Sequence, residues 1–158
     1  MAAQTSYSIN QGVALAGQLY ALAPHDIVSR KVETVTGIEF GVAVSRGTDK
    51  NTQCVLGAAD FIGITVRDVA REGSASGDIK YAETETAGVL RNGYLWVTCP
   101  SGATAGAAVK CNSSTGVIDA GTAGAGETQL DGAVWDTTTA AGEVGVIRLN
   151  SLQVTAGS

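Results

Sequence analysis

From Ile27 onward the sequence alternates short apolar runs with turn residues, a rhythm that predicts strands rather than helices. The clearest run, Ile38-Glu-Phe-Gly-Val-Ala-Val-Ser, puts Ile38, Phe40, Val42 and Val44 on one face, with Arg46–Asn51 as the turn after it. Phe61–Val66 predicts a second strand with Ile62, Ile64 and Val66 on one side, and Val144–Leu149 predicts another. Tyr94–Thr98 is apolar on both faces, as a strand covered on both sides would be, and Asn92-Gly93 predicts a turn before it. Weaker strand patterns lie at Val28–Val35, Gln53–Leu56, Asp78–Ala82, Ala107–Cys111, Gly116–Asp119 and Ala133–Asp136. About ten short strands punctuated by Gly, Asn and Ser imply an all-β fold, a short-strand antiparallel β-barrel or jelly-roll-like sandwich. No helical pattern after Ile27 is long enough to build a βαβ unit, which argues against the α/β classes.

The N-terminal residues read differently. Residues 1–24 hold no charged side chain, are rich in Ala, Gln and Gly, and end at Pro24. Leu15, Leu19 and Leu22 fall at helical spacing over Val13–Ala23, while Gly12 and Gly17 work against a helix there. The chain therefore divides into an N-terminal arm, residues 1–26, and a β-barrel or sandwich domain, residues 27–158. Val13, Leu15, Leu19, Tyr20 and Leu22 are costly to leave in water, so the arm lies either on its own domain or on a neighbour. Extended, it reaches on the order of 75–85 Å at about 3.3–3.6 Å per residue, which suits a partner-binding tether. Residues 101–128 and 137–143 are nearly all Gly, Ala, Ser and Thr, yet Val109, Val117 and Ile118 keep strand-like spacing. This segment reads as loops flanking a hairpin turned by Asn112-Ser-Ser-Thr-Gly116.

Composition narrows the function. The 158 residues are 44% hydrophobic but only 5% aromatic, with 21 glycines, enough for a folded domain of small side chains. Net charge is −5 and the ten Lys and Arg residues are dispersed, so no basic patch awaits nucleic acid. No run approaches the roughly 20 apolar residues of a membrane helix. The opening Met1–Ser6 lacks the pattern of a secretory signal, which predicts a protein made on the cytoplasmic side. Cys54, Cys99 and Cys111 match no zinc spacing and read as partly buried small hydrophobes.

Candidate chemistry is sparse. The single histidine, His25, adjoins Asp26, and neighbouring side chains on an extended chain point apart, so the pair reads as a polar turn. Glu83 and Glu85 would face one side of a strand, where paired acids can bind metal or shuttle protons, or simply keep an edge soluble. Arg67-Asp68 with Arg71-Glu72 is a mixed-charge loop. Gly116-Val-Ile-Asp-Ala-Gly121, followed by Gly124 and Glu127, resembles a motif of the deoxyuridine triphosphatases, in which an Asp and a Tyr hold the nucleotide. Asp119 matches, but Thr122 stands at the tyrosine position and an additional residue precedes Glu127. No nucleophile–base pair, metal cluster or phosphate loop emerges, so no catalytic residue, metal site or cofactor is expected.

The order of segments along the chain resembles the bacteriophage structural cement, or capsid decoration, proteins. The resemblance rests on Ile27-Val-Ser-Arg-Lys-Val-Glu, Ile38-Glu-Phe-Gly-Val-Ala-Val-Ser-Arg-Gly, Phe61-Ile-Gly-Ile-Thr-Val and Val89-Leu-Arg-Asn-Gly-Tyr-Leu-Trp-Val. Ala107-Ala-Val-Lys, Thr115-Gly116 and Val144-Gly-Val-Ile-Arg-Leu follow in order, and Gly12–Pro24 resembles the family's leader. It implies a non-enzymatic virion protein on the capsid exterior, made in the host bacterial cytoplasm, that clamps adjacent capsomers. The implied partners are the major capsid protein and further copies of itself, as a homodimer or homotrimer, with neither nucleic acid nor membrane. The alternative readings are a host-binding, adhesin-like β module of a virion and, more remotely, the nucleotide hydrolase.

Overall fold

The computed structural model describes residues 14–20, 23–70 and 79–157, with 151–156 described as backbone only. Nine strands are described: β1 (Asp26–Val32), β2 (Ala43–Arg46), β3 (Gln53–Leu56), β4 (Phe61–Thr65), β5 (Thr86–Thr98), β6 (Ala108–Asn112), β7 (Ile118–Ala120), β8 (Glu127–Trp135) and β9 (Val144–Ala156). Strands run in the order β1-β3-β2-β4-β5, and β5 pairs back onto β1, closing a five-stranded barrel. The β1–β3 pair is parallel and the other barrel pairs are antiparallel. A second sheet, β5-β9-β8-β6-β7, is antiparallel throughout. The all-β expectation holds, as a barrel carrying an extra sheet.

β5 belongs to both parts. Residues 86–92 pair with β1, while residues 93–98 pair with β9. The turn expected at Asn92-Gly93 does not form. Asn92 lies opposite Asp26 and Gly93 opposite Leu149, so cross-strand pairing carries the strand straight through. Gly93 takes φ 131 there, and a Cβ would lie 2.9 Å from that of His25. The long strand expected over Ile38–Ser45 is also interrupted. Ile38 makes one bridge to Tyr81, and Gly41 at φ 74 crosses so close to the arm that a Cβ would sit 2.8 Å from the Gly17 nitrogen. Asp78–Ala82 contributes only that Tyr81 bridge among its described residues.

Each barrel strand sends at least one side chain inward: Val32, Val44, Cys54, Ile62, and Ala87 with Val89. A larger core lies between the barrel and the second sheet, where Leu90, Leu95, Val97, Trp135, Ile147 and Leu149 are fully buried. All three cysteines are free, and they are buried more completely than the partial burial expected. Burial pushes the thiols of Cys54 and Cys99 up to about 11 and that of Cys111 to about 12.

The β6–β7 hairpin forms where Asn112–Gly116 predicts it. The Asn112 side-chain oxygen accepts the N–H groups of Ser114 and Thr115, both at 2.9 Å. Gly116, at φ 67, donates to the Asn112 carbonyl at 3.0 Å. The hairpin tip also couples the two sheets. Ala43 N–H donates to the Gly116 carbonyl at 2.8 Å, and Ala58 N–H donates to the Ser113 carbonyl at 2.9 Å.

Candidate interaction site

The arm residues expected to bind a partner are Val13, Leu15, Leu19, Tyr20 and Leu22. Val13 and Leu22 lie outside the described residues. Leu15, Leu19 and Tyr20 lie beside β5, in a turn and an extended piece over residues 14–20 rather than a helix. The turn is closed by Gln18 N–H donating to the Leu15 carbonyl at 3.1 Å. Gly17 N–H donates to the Trp96 carbonyl at 2.7 Å, Trp96 N–H to Gln18 at 2.9 Å, and Tyr20 N–H to Tyr94 at 3.2 Å. Arg67 N–H holds the Gly17 carbonyl from the other side at 2.6 Å. Gly17 takes φ 82, and a Cβ there would come 2.7 Å from that of Phe40, so the crossing requires glycine.

This arrangement accounts for the two-sided apolar character of Tyr94–Thr98. Leu95 and Val97 enter the core, whereas Tyr94 and Trp96 face outward and are only half-buried. Tyr20 covers part of them, edge-on to Trp96 at 5.5 Å between centroids and tilted against Tyr94 at 6.3 Å. Leu19 packs on the core, but Leu15 remains 55% exposed and Tyr20 47%.

The polar candidates are placed as structural ties. His25 is exposed, with Nδ1 3.0 Å from the Ala23 carbonyl. Glu83 and Glu85 do not share a strand face. Thr84 adopts φ 70 in a turn whose Glu85 carboxylate accepts Ala82 N–H at 2.6 Å, so the acids' alternation is broken. Arg67 lies 5.0 Å from the centroid of the Phe40 ring, and Arg71 and Glu72 lie outside the described residues. No group of three His, Cys, Asp or Glu among the described residues could hold a metal ion.

Asp119, the residue shared with the triphosphatase motif, spends its carboxylate within the chain. It accepts the Ser101 hydroxyl at 2.7 Å, the N–H groups of Ala120 and Ser101 at 2.9 and 3.2 Å, and the Cys99 thiol at 3.3 Å. Partial burial raises its pKa, but these donors together hold it below the ordinary carboxylate range. Glu127 accepts Gly124 N–H at 2.8 Å and pairs with Lys110 at 3.0 Å, which lowers its pKa as well. Gly121, Gly124 and Gly126 form the connection from β7 to β8. Shallow clefts of about 290 and 320 Å³ flank Glu39 and Val42, lined by Leu56, Phe40, Pro100 and Val117. The first cleft also takes in Thr36, Thr115 and Lys80.

The arm residues 14–20 and the outward side chains of β5 thus form a surface, half-covered and partly apolar. Residues 3–150 match the family model of the structural cement proteins of phages (E217 gp24/Pam3 gp6). The chain belongs to the phage structural cement protein family. Membership gives this cement protein a non-enzymatic structural role in the phage capsid. A chain from the capsid of Myoviridae Phage XM1 has the same fold, with a TM-score of 0.71 at 20% identity over 97% of the cement protein and 100% of the other chain. No curated protein matches the chain. Sequence reading missed one member of the outward face, Arg148. A lone cation inside the apolar run Val144–Leu149 was the available signal.

Proposed function

We propose that the protein binds the outer surface of the phage capsid and stabilises it by clamping adjacent capsomers, with the major capsid protein as its partner. It is made in the host bacterial cytoplasm and acts as a homodimer or homotrimer. The observation that carries this reading is the stiff coupling of the barrel to the second sheet, through the shared strand β5 and the docked β6–β7 hairpin. A clamp must resist bending between its two contacts, and many weak contacts repeated by symmetry then add up to firm attachment.

The arm acts as a tether in this reading. Its root is fixed on β5 at residues 14–20, so the reaching portion starts N-terminal of Ala14. The test is cosedimentation with empty mature capsids of the phage encoding the protein, together with the temperature at which those capsids lose their shell. Added protein is expected to pellet with capsids and to raise that temperature; absence of binding refutes the proposal. Deleting residues 2–13 should leave the melting temperature unchanged while capsid binding weakens. Undiminished binding by that variant would refute the tether.

A further inference from the structure

The outward face of the second sheet carries a row of side chains that the fold covers only in part. Residues directly opposite on antiparallel neighbours share a face. Ala108 lies opposite Val134, Val134 opposite Arg148, and Arg148 opposite Tyr94. Tyr20 extends the row onto Tyr94 and Trp96. Ala108 and Tyr20 are exposed, and Val134, Arg148, Tyr94 and Trp96 are half-buried.

Arg148 sits differently from several other cations. Arg46 holds Asp60 at 2.8 Å, Arg91 pairs with Asp26, Lys110 pairs with Glu127, and Arg67 lies over Phe40. Arg148 has no hydrogen-bond or ion-pair partner among the described residues, and its Nε is buried. A guanidinium partly withdrawn from water between a tyrosine and a valine gains strongly from an opposite charge. Its planar fork fits a carboxylate through two parallel N–H···O bonds. Tyrosine, tryptophan and arginine are also the residues that dominate protein interfaces.

We infer that Arg148, framed by Tyr20, Tyr94, Trp96 and Val134, receives an Asp or Glu carboxylate from an apolar segment of the capsid protein. This rests on the capsid-binding reading above and supplies the chemistry of the contact. The test compares wild type with Arg148→Met, Arg148→Lys and Arg46→Met, measuring cosedimentation with empty mature capsids across a salt series. Sedimentation velocity and melting temperature are recorded for each variant without capsids. Arg148→Met should fold with an unchanged melting temperature, since no partner among the described residues is lost, and bind about 30-fold or more weakly. Its remaining binding should depend less on salt than that of wild type. Arg148→Lys should recover binding only in part, because an ammonium cannot make the fork, and Arg46→Met should bind like wild type. Wild-type binding by Arg148→Met overturns the inference. A change confined to self-association does so too, and assigns the face to a second copy of the chain. If wild type itself fails to bind capsids, the functional reading falls first and this contact with it.

Discussion

Replacing Gly116 by alanine tests whether the hairpin tip holds the two sheets together. Gly116 has φ 67, where an L-residue costs about 1–2 kcal/mol. A Cβ there would lie 2.3 Å from the Ala43 carbonyl oxygen, a backbone atom with no rotamer escape. The tip must therefore lift from β2, which breaks the 2.8 Å hydrogen bond from Ala43 N–H to the Gly116 carbonyl, worth about 0.5–1.5 kcal/mol. The total is about 1.5–3.5 kcal/mol, or a fall in melting temperature of roughly 3–14 °C for a chain of this size. Gly126→Ala supplies the control. Gly126 has φ 78 but nothing within 4 Å of an added Cβ, so only the backbone cost of about 1–2 kcal/mol applies. Scanning calorimetry of both variants should show the Gly116 variant melting several degrees below the Gly126 variant. Equal melting temperatures would refute the argument that the tip is sterically locked against β2.

Two further outcomes follow from titratable groups. Asp119→Asn removes a carboxylate whose folded pKa is depressed, so its stabilising effect is present above the unfolded value of about 3.9 and is lost as pH falls through the lower folded value. The stability gap between wild type and Asp119→Asn, about 1–2 kcal/mol after solvent screening and read from melting temperatures, should be full at pH 6 and should close as pH drops below about 4; a gap independent of pH would show that the charge is irrelevant. Cys54, Cys99 and Cys111 should not react with a thiol reagent at pH 8 in the native protein, and all three should react in denaturant. Rapid labelling of the native protein would contradict their burial.

The strands that depend on local alternation were the most legible. Gln53–Leu56 forms as read, and Phe61–Val66 loses only its last residue from β4. Burial was legible even where geometry was not: Ile38, Phe40 and Val44 are all buried, although the backbone kinks between them. The failures share a cause in tertiary pairing. Asn92-Gly93 has the composition of a turn, but strands on either side hold it extended. Glu127 and Thr128 close the biased segment 101–128 and Gln129–Gly132 carry no strand reading, yet all of them form strand because β9 lies alongside, with Leu130 opposite Val154. The interaction face was legible in pieces. Tyr20 stood out in an uncharged arm and Trp96 in a two-sided strand, but only the register of β5 against β9 places Arg148 beside Tyr94.

Strand β5 also sets an order of events during synthesis. Its first half can pair at once with β1, which has already left the ribosome, whereas its second half must wait for β9 at the far end of the sequence. Contacts between distant parts of a chain form slowly, and during that delay an unpaired apolar edge invites pairing with other nascent chains. Residues 17–20, translated early, can take one edge of Tyr94–Trp96 before β9 exists. The N-terminal segment that roots the tether would then serve the newborn chain as an internal chaperone for the waiting half of β5.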